Sequence, residues 1–209
     1  MRPHETAGDR SVPADVYMVA RLEGRGFARL WARLDVEGPV DLRARDVLIA
    51  TADHLMHCLE VTYGYTRGDE ISLLIRRDET AFGRDPRRLV AALAGEASAK
   101  LSLLLGELAC FDCRIVELPD AAAVVDYFRW RQAEATREAL AARNDLDALP
   151  GWHKYGAGLH RARHEQDTVG LAQVTALRRR LRVELELPHG EAYAAFVRDQ
   201  VDRAGAPEP

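Results

Sequence analysis

The feature that most constrains the fold of this chain is a β-hairpin pattern at residues 62–75, TYGYTRGDEISLLI. Two runs rich in β-branched, aromatic and aliphatic residues, which favour strands, flank a tight corner at residues 67–70, RGDE. Gly68 supplies the positive φ that such a corner commonly needs. The carboxylates of Asp69 and Glu70 then stand where the second strand begins. An acidic pair at this position predicts a site that holds a divalent cation against phosphates.

The elements predicted around the hairpin follow the order strand, helix, strand, strand, helix, strand and helix. The spacing of apolar residues places the elements other than the hairpin at residues 16–22, 41–60, 86–108, 113–118 and 120–142. This order is the split βαβ pattern of ferredoxin-like folds, which is also the palm of many polymerases and nucleotidyl cyclases. We therefore predict an α+β fold, an antiparallel sheet with helices on one face. In such a sheet the first strand lies beside the hairpin, so Glu23 and Asp69 meet at one edge.

The chain is predicted to contain one main domain with additions at both ends. Residues 1–13 are polar and contain proline and glycine, which is typical of a flexible N-terminus. Residues 14–143 form the palm-like catalytic domain, and residues 144–209 form a C-terminal extension packed on it. The extension is predicted to contain apolar stretches at residues 170–174 and 181–187 and a helix at residues 191–201.

Charge and hydropathy limit the classes of function. The 209 residues include 29 Lys and Arg against 33 Asp and Glu, a net charge of −4, so contact with RNA has to come from local patches. The run RRRLR at residues 178–182 and the helix arginines Arg129 and Arg131 could meet phosphates, and a solvated basic surface is the alternative for both. No apolar run approaches the ~20 residues that span a bilayer, and no signal-peptide core is present. We expect a cytoplasmic protein with no membrane partner.

Glu23, the carbonyl of Gly24 and Asp69 form the predicted metal site. Two-metal nucleotidyl transfer needs ligands that hold divalent ions roughly 3.5–4 Å apart, and magnesium takes oxygen ligands, commonly one or two carboxylates. Glycine at positions 24 and 26 lets backbone N–H groups approach a triphosphate. Glu70 follows Asp69 on the strand, points to the other face and is assigned a supporting role. The alternative is that Glu23 and Asp69 are solvated residues at strand ends.

Other residues of metal-binding type are interpreted as structural. Cys110 and Cys113 have C-x-x-C spacing, and HLMHC at residues 54–58 could supply a second half. The cysteine pair runs straight into an apolar strand instead of forming one of two paired knuckles, so no zinc site is predicted. His160 and His164 have the spacing of a metal-binding pair on a helix, but no third ligand accompanies them.

Four motifs in collinear order resemble those of tRNA-His guanylyltransferases and their bacterial and archaeal relatives. They are RLEGRGF at residues 21–27, GYTRGDEIS at 64–72, FDCRIV at 111–116 and DYFRWRQA at 126–133. The short segments LPGW at residues 149–152 and GAGL at 156–159 are similar to segments of the bacterial and archaeal relatives rather than of the eukaryotic enzymes. The resemblance covers about residues 16–196, and four motifs in order are far more specific than any one of them.

The resemblance implies a palm-like core that binds nucleoside triphosphates and two magnesium ions. Members add nucleotides in the 3′–5′ direction to the 5′ end of tRNA, with GTP and ATP as substrates, and they are commonly homotetramers. Position by position, Glu23 and Asp69 become catalytic residues, and together with Gly24 they become metal ligands. The implied nucleotide-binding residues are Glu23, Gly24, Arg25, Gly26, Phe27, Ala28, Gly68 and Asp69.

Two alternatives stay open, and the first rests on four departures from the family pattern. Glu23 replaces an aspartate and is one methylene longer, while Ala28, Gly38 and Gly68 replace a histidine, a lysine and a serine. A non-catalytic member that binds nucleotide or RNA is therefore one alternative. The other is a nucleotidyl cyclase, because residues 67–70 also resemble the R-x-G-G-D-E-F hairpin of diguanylate cyclases.

Overall fold

An antiparallel sheet of six strands organises the chain in this computed structural model, which describes residues 10–37, 41–142, 149–165 and 177–205. The strands are β1 (Tyr17–Gly24), β2 (Val61–Arg67), β3 (Glu70–Ile75), β4 (Phe111–Leu118), β5 (Ala157–Glu165) and β6 (Leu177–Glu184). The helices are α1 (Phe27–Arg33), α2 (Leu42–Cys58), α3 (Pro86–Leu105), α4 (Ala121–Ala142), α5 (Gly151–Tyr155) and α6 (Glu191–Gly205), and a 3-10 turn covers Ala81–Arg84.

The strand order in the sheet is β4-β1-β3-β2-β5-β6. Its first four strands, with the crossover helices α2 and α3, form the split βαβ arrangement that the sequence predicts. β1 pairs with β3 so that Leu22 lies opposite Ile71 and Glu23 lies opposite Glu70. The α+β palm is therefore confirmed. The remaining hairpin, β5 and β6, extends the same sheet beyond β2.

Helices cover both faces of the sheet. Met18 and Leu22 of β1 belong to a core shared with α2 and α3, whereas Tyr17 and Val19, which point the other way, pack in a core with α4 and α6. The expectation of helices on one face holds for the two crossover helices only. Both faces of the sheet are covered because every residue of the central strand β3 is buried. Side chains on the two faces of this strand therefore each need a covering layer.

The predicted element boundaries are close to those observed. Asp41 caps α2 as expected, since its carboxylate accepts a hydrogen bond from the Arg43 N–H at 2.8 Å. α3 ends three residues before the predicted boundary because Gly106 takes a left-handed φ of 67° as its C-cap. The short helices α1 and α5 were not predicted. The apolar stretch at residues 170–174 lies outside the described residues, and the proposed domain boundaries stay a prediction.

His160 and His164, which the sequence analysis interprets as structural, do not have helical spacing in the structure, because both residues lie on strand β5. Residues four apart on a strand are separated by about 13 Å, so they do not form one metal site. His160 is buried, and its Nε2 lies 3.2 Å from Oε1 of Glu184 on the neighbouring strand. Among the described helices, none is both long and apolar enough to cross a membrane.

Helix α6 contributes buried side chains to the core of the protein. Truncating one of them should therefore destabilise the fold. Val197 of α6 is fully buried, whereas Val183 of β6 is 38% exposed. Val197→Ala should lower the free energy of unfolding by about 1–3 kcal/mol, because it removes buried methyl groups and leaves a cavity. The matched change Val183→Ala should cost less than about 1 kcal/mol. Urea unfolding of both variants measures the difference, and equal losses would contradict the buried position of α6.

Candidate active site

The corner between β2 and β3 is tied directly to the end of β1. Gly68 takes a φ of 58° in this turn, a conformation that suits glycine. The backbone N–H of Gly24 donates a hydrogen bond to the carbonyl of Asp69 at 2.9 Å. Two sequence motifs that are 45 residues apart thus meet at one edge of the sheet. We name the edge formed by Glu23, Gly24 and Asp69 the acidic edge.

The turn after β1 is fixed by close packing. A Cβ atom on Gly24 would lie 2.5 Å from the ring of Phe27, so only glycine fits there without displacing that ring. The Arg25 N–H donates to the carbonyl of Cys110 at 2.8 Å, and Gly26 has a φ of 69°. Phe27 itself is buried, with its ring 5.1 Å from that of Phe111. Any contact of Phe27 with a nucleotide would therefore come from its backbone.

Glu23 is engaged by two arginines. One carboxylate oxygen accepts a hydrogen bond from Arg21, and the other accepts one from Arg114 of β4. The Glu23 side chain is 34% exposed, so solvent and ligands still reach it. Because each oxygen already has a cationic partner, a metal ion at Glu23 would have to compete with an arginine.

Glu70 lies deeper than Glu23 and is surrounded by hydrogen-bond donors. It is 4% exposed, and Arg131 of α4 binds it through two nitrogens, one of them at 2.7 Å. Arg21 Nε donates to the other carboxylate oxygen at 3.1 Å, and Ser72 Oγ donates to the first at 3.1 Å. Ser72 is also 2.9 Å from the hydroxyl of Tyr127. We name Glu70, Arg21 and Arg131 the buried ion cluster.

The two α4 arginines lie in different environments, and the buried Arg131 matches neither the phosphate-contact nor the solvated-surface interpretation. Arg131 is 4% exposed and anchors Glu70, while Arg129 on the same helix reaches the surface and contacts Glu191 at 2.9 Å. The Arg131 guanidinium also lies 4.5 Å from the ring centroid of Trp130. In the basic run at residues 178–182, Arg182 is exposed, and the side chains of its other arginines lie outside the described residues.

Asp69 is exposed at the corner, yet its carboxylate is not in an ordinary aqueous environment. Loss of hydration raises the pKa of Asp69, and the negative charges of Glu70 and Glu23 raise it further, against the opposing effect of Arg67. The carboxylates of Glu70 and Glu23 thus lie close enough to repel the Asp69 anion, although both are also bound by arginines. A bound cation would relieve this repulsion and favour the ionised form of Asp69.

A cavity of about 400 Å³ opens beside Asp69. Arg45 of α2 and Trp152 of α5 form part of its wall, with the guanidinium 5.1 Å from the ring centroid. Thr66 and Gly68 of the hairpin also line it. Its size is in the range of small-molecule sites. Trp152 lies in one of the quoted motifs, but no sequence signal connects Arg45 with it, because they come from separate helices.

The sequence is similar to those of tRNA(His) guanylyltransferases. A family model described as "Thg1: tRNAHis guanylyltransferase" matches residues 1–119. The tRNA(His) guanylyltransferase of Debaryomyces hansenii is 31% identical over 132 residues, 57% of this chain and 50% of the relative. A probable tRNA(His) guanylyltransferase of Drosophila melanogaster is 30% identical over 135 residues, 60% of this chain and 47% of the relative. The chain thus spans about half the length of these curated relatives.

Solved structures show the same fold. A bacterial tRNA(His) guanylyltransferase-like protein in complex with GTP superposes with a TM-score of 0.82 at 24% identity, over 96% of each chain. The tRNA(His) guanylyltransferase of Saccharomyces cerevisiae superposes with a TM-score of 0.68 at 16% identity, over 75% of this chain and 90% of the other.

The buried ion cluster generates a prediction about stability. Arg131→Met should lower the free energy of unfolding by about 3 kcal/mol, because it removes a partner from the buried charge of Glu70. The matched change Arg129→Met, on the same helix, removes a surface ion pair and should cost less than about 1 kcal/mol. Denaturant unfolding compares the two, and a similar small loss in both would show that Glu70 does not depend on Arg131.

Proposed function

This chain belongs to the tRNA-His guanylyltransferase family, and we propose that it is a magnesium-dependent 3′–5′ nucleotidyltransferase. Its proposed substrates are the 5′ end of tRNA or a related RNA and a nucleoside triphosphate such as GTP or ATP. The observation that carries the proposal is the hydrogen bond from Gly24 to Asp69, which joins the two motifs of the acidic edge beside the cavity. A homotetramer stays a prediction from the resemblance, and a cytoplasmic location stays a prediction from the sequence.

The residues at the acidic edge fit magnesium by their chemistry. Carboxylate oxygens from Glu23 and Asp69 and a backbone carbonyl from Gly24 are the hard oxygen donors that this ion prefers. The pKa of Asp69 is raised mainly by loss of hydration and further by the nearby carboxylates of Glu70 and Glu23, and a bound cation would offset both effects. When bound, two magnesium ions would neutralise triphosphate charge and make the attacking hydroxyl more acidic.

The side chains of the chain have distinct proposed tasks at this edge. Asp69 presents its carboxylate at an exposed corner. Arg114 is on the rim of the sheet, half exposed, and leaves Glu23 for the phosphates when a nucleotide binds. Arg25 is exposed on the turn after β1 and offers a second cation to the same phosphates. The backbone of Gly26 allows close approach of the triphosphate to this turn.

We assign the cavity beside Asp69 to the nucleobase. The stacked pair of Arg45 and Trp152 presents a planar aromatic and cationic wall, which suits a purine ring. The buried ion cluster holds β1, β3 and α4 together behind this edge, so Arg21 and Arg131 act as positioning residues. They keep the acidic edge in place without contacting the reacting atoms.

A second candidate function is nucleotide or RNA binding without turnover. The observation that favours it is that both oxygens of Glu23 are bound to arginines. If a nucleotide does not displace these contacts, Glu23 cannot take a metal ligand's role. The replacement of polar family residues by Ala28 and Gly68 also favours binding without turnover.

An extension assay tests the enzyme directly. A 5′-monophosphorylated, 5′-truncated tRNA incubated with magnesium, ATP and labelled GTP should gain nucleotides at its 5′ end. Asp69→Asn should lower the rate by about 100-fold or more, because it removes a charge that acts on the transferring phosphate. Asp199→Asn, a surface carboxylate of α6, is the matched control and should leave the rate unchanged.

The assay also separates the alternatives. GTP binding with magnesium but no extension on any 5′ end would favour the non-catalytic function. Cyclic dinucleotide formed from GTP alone would identify a cyclase instead. Equal inactivity of the natural chain and Asp69→Asn would refute the proposed transferase.

A second prediction concerns the nucleobase wall. Trp152→Ala should raise the dissociation constant of GTP by about 5- to 150-fold, the range expected for loss of one stacking contact. Trp152→Phe retains an aromatic face and should recover most of the affinity. Isothermal titration calorimetry measures both constants. Unchanged affinity in Trp152→Ala would place the base outside this cavity.

A further inference from the structure

Three metal-binding side chains converge away from the acidic edge, between helices α2 and α3. We propose that His54, Cys58 and Glu96 form a zinc-class metal site that joins these two helices. His54 Nε2 lies 2.9 Å from Glu96 Oε2 and 3.7 Å from Cys58 Sγ. The three ligand atoms all lie within 4.8 Å of one another. Neither the family resemblance nor the proposed transferase activity uses these residues.

Helix geometry brings the ligands together without distortion. His54 and Cys58 are four residues apart on α2 and therefore share one face of that helix. Glu96 approaches from α3, 42 positions after His54. The core fixes both helices immediately beneath the site, since Leu55 and Ala97, the residues that follow His54 and Glu96, are fully buried. The backbone positions of the ligands are thus already set before a metal binds.

The donor atoms select the type of metal. Zinc binds imidazole nitrogen, thiolate sulfur and carboxylate oxygen at about 2.0–2.3 Å, which puts tetrahedral ligand atoms about 3.3–3.8 Å apart. The two separations at His54, 2.9 and 3.7 Å, lie close to this range, and the third, between Cys58 Sγ and the Glu96 carboxylate, is at most 4.8 Å. Magnesium prefers oxygen alone, so a site with Cys58 and His54 discriminates against the ion proposed for the acidic edge.

Charge and exposure also suit a divalent cation. Glu96 and the thiolate of Cys58 together supply two negative charges. The Cys58 thiol gives up its proton when it binds a metal as a thiolate. That proton leaves to solvent as the metal–sulfur bond forms. The site is open to solvent at Cys58 and Glu96, which leaves a fourth position for water, as in zinc sites with three protein ligands.

Cobalt(II) titration of the metal-free full chain tests the site with a spectroscopic readout. Cobalt(II) in a thiolate-containing tetrahedral site gives a sulfur-to-metal charge-transfer band and intense visible bands. We expect one equivalent to produce both, zinc to abolish them by displacement, and protons to be released on binding. Cys58→Ser should remove the charge-transfer band. His54→Gln and Glu96→Gln should each weaken binding at least tenfold, about the smallest loss seen even for residues that only support metal ligands.

Matched variants separate this site from others. His57→Gln changes a histidine on the same helix that contacts Asp53 instead of the cluster, and it should bind cobalt normally. Cys110→Ser, which changes another free thiol, and Asp69→Asn should also leave the spectrum unchanged. Circular dichroism verifies that each variant is folded. A spectrum without the charge-transfer band, a band that persists in Cys58→Ser, or equal weakening by His57→Gln would overturn the proposal.

Failure of this test would leave the transferase proposal untouched. The spectral readout requires no nucleotide, RNA or turnover, and its ligands are all on α2 and α3. Conversely, inactivity in the extension assay would not change the expected cobalt spectrum. The two proposals are thus judged by separate measurements.

Discussion

The buried charge of Glu70 is the constraint on which the arrangement of this molecule depends. A carboxylate that is 4% exposed has lost most of its hydration, and it is stable as an anion only with cationic partners and hydrogen bonds. Arg21 comes from the neighbouring strand β1, and Arg131 comes from α4 across the layer. Satisfying one side chain thus fixes the pairing of β1 with β3 and the position of α4 over the sheet.

The same cluster organises the chemistry at the edge of the sheet. Arg21 bridges Glu70 and Glu23, so the buried Glu70 and the proposed metal ligand Glu23 share one guanidinium group. Asp69, by contrast, projects from the corner, and its pKa is raised first by loss of hydration and then by the carboxylates of Glu70 and Glu23. A triphosphate arriving with magnesium would supply both anions for the arginines and cations for the carboxylates. The proposed catalytic state is therefore an exchange of partners among charges that are already present.

The two proposed metal sites differ in their donor atoms and are therefore expected to bind different metals. The acidic edge offers only oxygen atoms and lies beside a cavity, which suits magnesium carrying a nucleotide. The cluster of His54, Cys58 and Glu96 offers nitrogen, sulfur and oxygen on the outer surface of α2 and α3, which suits zinc. Because hard and borderline-soft ions differ in their preferred ligands, each site can be occupied without competition from the other.

The sequence by itself determined the central hairpin, the helix cap at Asp41 and the ferredoxin-like order of the palm, since apolar periodicity, turn glycines and capping are local signals. Only the tertiary structure decided that α4 and α6 cover the second face of the sheet, that Arg131 is buried, and that Glu96 reaches His54 and Cys58. The physical reason is that burial and charge pairing depend on neighbours supplied by distant segments. His160 and His164 show the limit clearly, because identical spacing has opposite meanings on a helix and on a strand.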